Sequence, residues 1–313
     1  MATIDASYMR DAVLNSTSLA YFVRIADLGS LTAAARELRV SQPSLSVAIR
    51  KLEEELDTTL LVRGRRGVTL TATGEALLRH ARHALRTLDD ARQEIHGLES
   101  EPRGDFVVGA HESLAAYCLP RFMASFLRTH PGIRLSLWNG NSREVERVVV
   151  EREVDIGLVV NPTQHPDSIV TTLFHDRVEL IAAATLVRRV RKAGIGELLA
   201  SQPLVYVPVL RQVQYILGAL SKQGLAPSQH LPCSSMELVK SLVIDGVGIG
   251  ILPYRVATHG VASGRLVAVS RELPSFDDSI ALVRRFDMHQ TAAARLLLDA
   301  LREHGRSMPE LPR

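Results

Sequence analysis

Cysteine is nearly absent: Cys118 and Cys233 are the two in 313 residues. They lie far apart in apolar surroundings, so buried structural thiols are the expected role, with a redox switch as the alternative. Long apolar runs are missing as well. No stretch approaches the roughly 18 residues of a membrane span. The N-terminus carries Asp5, Arg10 and Asp11 where a secretory signal has a basic start and a continuous apolar run. A chain without membrane spans that stays in the cytoplasm is expected. Motifs of catalysis are equally scarce. From His111 onward the histidines are scattered, with no pair at metal-ligand spacing, and there is no Gly-x-Ser-x-Gly elbow and no phosphate loop. His111-Glu112-Ser113 sets acid–base types in one row, yet adjacent residues at a helix start rarely converge. No catalytic residue, metal or other cofactor is expected.

What is present is a soluble-type composition, 46% hydrophobic and 23% charged, in a chain long enough for at least two domains. The net charge of +3 decides nothing. Its distribution says more: between Leu61 and Arg86 stand Arg63, Arg65, Arg66, Arg79, Arg82 and Arg86 against the single acid Glu75. Such a patch meets phosphates, although on charge alone a solvated basic face would account for it.

Residues 1 to about 16 show no period and read as an extension. Leu19, Phe22, Val23 and Ala26 then form one stripe of an amphipathic helix, broken at Gly29. Ser30 or Thr32 can cap a second helix whose inner face is Ala34, Ala35 and Leu38, and the small alanines allow close approach. Ser41 can cap a third, with Pro43 in its first turn, where a missing N–H costs nothing. Leu45, Ile49 and Leu52 must face the core, which turns Gln42, Pro43, Ser46, Val47 and Arg50 outward. A helix-turn-helix places such a face in the major groove, where Gln pairs with adenine and Arg with guanine. Taken alone, the segment is better read as the polar outer face of an ordinary helix, a reading that loses ground with the next segment. Residues 60–71 follow as two short apolar runs around Arg63-Gly64-Arg65-Arg66-Gly67, a hairpin whose tip arginines can reach a narrow minor groove.

Residues 18–98 resemble the N-terminal region of LysR-type transcriptional regulators. The match lies in Gly29-Ser30-Leu31-Thr32-Ala33-Ala34-Ala35, Ser41-Gln42-Pro43-Ser44-Leu45-Ser46, Leu52-Glu53-Glu54-Glu55-Leu56, the wing Arg63, and Leu70-Thr71-Ala72-Thr73-Gly74, in the expected order and spacing. The resemblance implies that Gln42, Pro43 and Ser46 lie against DNA and that Arg66 enters the minor groove. With the outward face and the wing, the candidate DNA contacts are Ser30, Thr32, Gln42, Pro43, Ser44, Ser46, Val47, Arg50, Arg63, Arg65 and Arg66. Three positions depart from the pattern. Val47 stands where a polar or basic side chain is common, Asp57 where glycine is usual, and Leu61 where phenylalanine is frequent. Val47 can touch a thymine methyl but cannot donate a hydrogen bond.

After Gly74, Leu77, Ala81, Ala84, Leu88, Ala91, Ile95 and Leu98 alternate at spacings of four and three, a heptad seam. It predicts a helical pair between subunits and hence a partly palindromic operator on double-stranded DNA. Packing of the seam on its own domain is the alternative. Beyond Pro102 and Gly104 the pattern becomes α/β. Strands are expected over 106–110, 133–138, 154–160, 178–183 and 204–207. Helices are expected over 113–129, 142–151, 212–222 and 236–245, giving parallel strands with crossover helices. Residues 161–166 read as a hinge, 266–270 as the strand returning to the first lobe, and 280–283 with the helix 289–304 as its completion.

More loosely, this half resembles the effector-binding domain of the same family, which is periplasmic-binding-protein-like. The expected fold is therefore α/β overall: an N-terminal all-α winged helix-turn-helix (17–73), a long linker helix for dimerisation (74–100), and a two-lobed effector domain (104–313). Lobe I takes about 104–161 and 270–313, and lobe II about 166–266. The resemblance implies a small-molecule effector, of a kind the sequence does not name, in the cleft near His111, Ser113, Ser142, Val209, Arg211, Val247 and Ile249. Each serine is also a helix-cap candidate, and Arg211 could receive a carboxylate. The implied protein is a sequence-specific regulator whose DNA-bound geometry responds to the effector, as a homodimer or the homotetramer the family often forms. The alternative is a cytoplasmic small-molecule-binding module without regulatory DNA binding.

Overall fold

A computed structural model describes residues 14–64, 67–97, 102–190, 194–225, 227 and 229–308. The first helix, α1 (Ser16–Leu28), starts where Asn15 Oδ1 accepts the Thr17 N–H at 2.8 Å and stops at Gly29, whose φ of 59° suits a residue without Cβ. Ser30 caps α2 (Leu31–Leu38) by accepting the Ala33 N–H at 3.2 Å. Ser41 caps α3 (Gln42–Glu55) in the same way, with Pro43 in the first turn. Leu19, Phe22 and Ile25 from α1, Ala34 and Ala35 from α2, and Leu45, Ile49 and Leu52 from α3 make a closed core.

A hairpin of β1 (Leu61–Gly64) and β2 (Gly67–Leu70) docks on this bundle. The Val68 N–H donates to the Gly29 carbonyl at 2.9 Å, and a Cβ on Gly67 would come within 2.5 Å of the same oxygen. Glu53 joins α3 to the hairpin: its Oε1 accepts the N–H groups of Leu60 at 2.8 Å and Leu61 at 3.1 Å. Thr71 then caps α4 (Ala72–Gly97), accepting the Gly74 N–H at 2.9 Å and donating to the Thr59 carbonyl at 2.7 Å. Gly74 is needed there because a Cβ would sit 2.2 Å from the Leu60 carbonyl oxygen. The family's preference for glycine at position 57 also has a cause here, since Asp57 holds φ 46°, a conformation that glycine adopts without cost.

The expected seam of α4 divides. Ala81 is buried in the head, with Leu77 and Ala84 packed on the same core, whereas Leu88 and Ile95 are 49% and 66% exposed. Leu98 lies outside the described residues.

The remaining elements form one mixed sheet in the order β4-β3-β5-β11-β6-β9-β7-β8, with β10 on β6. Lobe I contains β3 (Gly104–His111), α5 (Glu112–Tyr117), α6 (Leu119–Thr129), β4 (Ile133–Gly140), α7 (Ser142–Val150) and β5 (Ile156–Val160). The strand β6 (Ser168–Ala183) leads to lobe II. There follow α8 (Ala184–Val190), α9 (Ile195–Ser201), β7 (Leu204–Tyr206), α10 (Arg211–Lys222), β8 (His230–Pro232), α11 (Met236–Ile244), β9 (Ile249–Pro253), α12 (Tyr254–Ala262) and β10 (Leu266–Ala268). The chain returns along β11 (Phe276–Arg285) to α13 (Ala292–Arg306).

Four expectations are corrected. The strands are not all parallel: β3–β5, β7–β8 and β7–β9 are, but β6 and β11 run antiparallel to each other and to β9 and β5. Residues 266–268 do not return to lobe I, because Leu266–Ala268 pairs with Ala183–Ile181 of β6, and β11 makes the crossing. The strand expected from 178 begins ten residues earlier, at Ser168, its half-exposed Thr171, Thr172 and His175 having hidden it from an apolar-run reading. The helix expected over 113–129 breaks at Cys118, since Pro120 fits the first turn of a new helix and not the interior of a continuous one.

Glu53→Ala is expected to lower the stability of the head by roughly 1–3 kcal/mol, because it leaves the backbone donors of the buried Leu60 and Leu61 without their charged acceptor. Urea unfolding of the variant against the parent measures it, and an unchanged midpoint would remove Glu53 from the account.

Candidate functional site

On α3, Gln42, Pro43, Ser44 and Arg50 are exposed, Ser46 is half-buried, and Val47 is 61% exposed. Ser44 is tied to the cap residue, its Oγ 2.6 Å from Ser41 Oγ. Thr32 Oγ1 lies 3.4 Å from Gln42 Oε1, a long contact that leaves the amide nitrogen free of it. Arg63, at the hairpin edge, donates from Nη2 to Ser46 Oγ at 2.9 Å. The hairpin thus reaches across to the middle of the exposed helix face, and Ser46 keeps its own hydroxyl proton available. Ser30 faces its own helix start as a cap. Arg65 and Arg66 lie outside the described residues.

In the second unit a cavity of about 270 Å3 opens between the lobes. His111, Glu112, Ser113 and Tyr117 line it from lobe I, and Val209, Ser235, Met236 and Glu237 from lobe II. His111, Ser113 and Val209, three of the residues named from the sequence, therefore line one cavity. Ser142 is not on the lining: its Oγ accepts the Val160 N–H at 2.9 Å, and the adjacent Asn141 reaches the cavity instead. Arg211 is exposed on α10 away from the lining, and Val247 lies in the turn before β9. Ile249 is fully buried in the lobe II core, where its alternation along β9 turns it inward.

Two contacts join the lobes around this cavity. Lys240 of α11 bonds the Tyr117 hydroxyl, sits 4.7 Å from the centre of that ring, and pairs with Glu237 at 2.8 Å. Deeper, Arg255 of α12 donates from Nε to Ser113 Oγ at 3.0 Å and from Nη1 to Asp176 on β6 and, at 3.2 Å, to Asp278 on β11. Asp278 Oδ1 also accepts from Gln212 at 2.9 Å and from Asn161 at 2.8 Å. One buried cluster thus touches both lobes, both crossover strands and the first residue of the expected hinge.

Sequence reasoning missed Asp176, Asp278 and Arg255. A signal was present: Asp176 and Asp278 each stand two residues ahead of an apolar strand core, and Arg255 stands two residues after Pro253, the end of another. Charges at such positions are buried with partners or are not buried at all.

Burial, and then the charge of Arg255, lowers the His111 pKa to about 4. The ring is neutral near pH 7, and because Nδ1 accepts the Ser113 N–H at 3.2 Å its proton sits on Nε2. Burial pushes the Cys118 thiol up to about 11 and raises that of Cys233, which keeps both protonated. Among the described residues no group of His, Cys, Asp and Glu is placed to hold a metal ion, and no helix is long and apolar enough to cross a membrane.

The model of the LysR substrate binding domain matches residues 99–306, and that of the bacterial regulatory helix-turn-helix protein, lysR family, matches residues 16–75. The chain belongs to the LysR-type transcriptional regulators. As a LysR-type regulator it is a DNA-binding protein with an effector-binding domain, which sets aside the reading as a binding module without a DNA-binding head. The HTH-type transcriptional regulator CzcR of Bacillus thuringiensis (strain Al Hakam) is 28% identical over 297 residues, 94% of this chain and 96% of its own. CrgA, a LysR-type transcriptional regulator from Neisseria meningitidis, is 27% identical with a TM-score of 0.55, over 94% of this chain and 99% of CrgA. Full-length CbnR in complex with its target DNA shares the fold at 21% identity and a TM-score of 0.61, over 94% and 99% of the two chains.

The His111 shift has a pH consequence for this LysR-type regulator. The unfolded chain takes up a proton near the ordinary value of 6.5, which the native state refuses down to about 4. The stability tied to a neutral His111 is present above pH 6.5 and is lost as the pH falls through that window. His111→Asn keeps a cap on α5 and removes the titration, so its urea midpoint should fall less between pH 7.5 and 4.5 than the parent's. Equal losses would show that His111 does not carry the effect.

Proposed function

We propose that Gln42, Ser46, Val47 and Arg50 read base edges in the major groove while Arg63, Arg65 and Arg66 serve the backbone and minor groove, and that the protein acts by binding alone, without catalysis. The observation that carries this reading is the exposed, polar N-terminal half of α3, buttressed by Arg63 but otherwise uncommitted to the head. Pro43 and Ser44 bring the helix start against phosphates, as helix N-termini do, with Ser30 and Thr32 beside them. The exposed Leu88, Ala91 and Ile95 on the distal half of α4 are the surface for a homodimer, and a partly palindromic operator in the cytoplasm follows from such a pair. Homotetramers are the further assembly proposed.

The effector is a small organic molecule held in the interlobe cavity by His111 Nε2–H, by the hydroxyls of Ser113, Tyr117 and Ser235, and by Asn141. No lysine or arginine is on the lining, whereas Glu112 and Glu237 are. An effector carboxylate would meet the start of α10, whose first N–H groups have no side-chain cap, rather than a cationic side chain. Binding shifts the lobe angle only by the difference in affinity for two arrangements, and Tyr117–Lys240 and Ser113–Arg255 are the contacts that differ between them.

Gel shifts on DNA flanking its own gene and on genome-selected sites test the head. Binding should be sequence-dependent and weaken steeply with salt as counterions are released. Gln42→Ala should relax base preference by about 1–3 kcal/mol, and Arg63→Ala should weaken all sites alike. Equal loss on every sequence for Gln42→Ala would remove it from the readers.

A further inference from the structure

Apart from the interlobe cleft, a second concavity, of about 360 Å3, lies where α13 crosses β6, lined by Thr171, Thr172, Leu173, Arg302 and Arg306. Its floor is a bulge. Pairing of β6 with β11 passes from Thr172↔Ala281 to Phe174↔Ile280 and leaves Leu173 over. Gly305 lets the helix lie directly on that bulge, since a Cβ there would come 2.8 Å from Leu173 Cβ. Arg302 and Arg306, one turn apart on α13, are thereby held at the edge of the concavity with their side chains adjacent.

A third guanidinium stands behind them. Arg284 of β11 pairs with Ile169, two residues along β6 from Thr171 and so on the same face of the sheet. Its Nε is buried without a hydrogen-bond partner, although Nη1 donates to the Arg285 carbonyl at 3.0 Å. Burial and then the charge of Arg302 push the Arg284 pKa down. Against three guanidiniums the acid paired with them among the described residues is Asp299, which meets Arg302 at 2.9 Å from an exposed position.

We propose that this concavity is a second ligand site that takes a small multivalent oxyanion, a phosphate group or a polycarboxylate. Two guanidinium forks at its edge can each hold an anion oxygen pair, the Thr171 and Thr172 hydroxyls can donate to the same group, and the repulsion among the arginines is relieved when it binds. The anion would clamp α13 to β6 and β11, the strands that join the lobes, and so act on lobe geometry from outside the cleft. The site is independent of the reading of the cleft, and either can fail without the other.

The test uses the full-length chain, with inorganic phosphate, pyrophosphate and citrate titrated against sodium chloride of matched ionic strength. Melting temperature and calorimetric binding are followed together. A saturable rise beyond the chloride control is expected; a stronger response to pyrophosphate assigns a phosphate ligand, and one to citrate a polycarboxylate. Arg302→Gln/Arg306→Gln should weaken binding about tenfold or more and Thr171→Val should weaken it less, while Arg128→Gln, at an exposed arginine of α6, should bind like the parent. No response beyond chloride, or an equal response in the double variant, would overturn the proposal. A change of oligomeric state in the double variant without loss of anion binding would also overturn it, showing a contact between copies instead.

Discussion

Arg255 lies between two carboxylates in the interior of the effector domain, and the arrangement of the lobes depends on it. The guanidinium is 7% exposed, Asp176 is 4% and Asp278 is 0%. Ions so placed are costly to desolvate, and they persist only where geometry and further hydrogen bonds compensate. Here they do: Asp278 draws donors from Gln212 and Asn161, and Asp176 accepts the Arg177 N–H at 2.9 Å. Burial still raises the Asp176 pKa, with the charge of Arg255 opposing it. Arg255 Nη2 remains buried without a partner. A cluster of this kind contributes a unique geometry more than it contributes net stability. Because its members come from β6, β11, α10, α12 and the start of α5, no one of these can shift without disturbing a buried charge.

The head was largely legible in the sequence because its determinants are local. Caps at Ser30 and Ser41, the break at Gly29 and the apolar stripes are short-range signals, and each produces the element it predicts. The reason for Glu53 and Gly74 was not legible. Both act on the backbone of Leu60 across the gap between helix and hairpin, a contact that spacing alone does not reveal. The effector half was readable as alternating segments but not as a sheet. Its long strands β6 and β11 cross between lobes, so they alternate between buried and solvated stretches and resemble several short elements. For the cleft, the sequence located His111, Ser113 and Val209. Ser142, Arg211, Val247 and Ile249, assigned to the cleft with them, are not on the cavity lining, because which face of a turn looks into a cavity is settled by packing far away in the chain.

The linker helix shows two demands on one pattern. A repeat of apolar residues at spacings of four and three is continuous in the sequence, yet Ala81 serves the head core and Ile95 faces outward. A helix of this length keeps a single stripe aligned with both tasks only because the head occupies its first turns and leaves the distal ones bare.

Val47 carries a different kind of consequence. It sits 61% exposed on the outward side of α3, with the head core closed behind it by Leu45 and Ile49. Surface positions of this kind change stability by only about 0.5 kcal/mol in either direction. Most side chains other than proline and glycine are therefore open to that position without a large loss of stability. With Val47 among the proposed base readers, base preference at that position is separable from the stability of the scaffold.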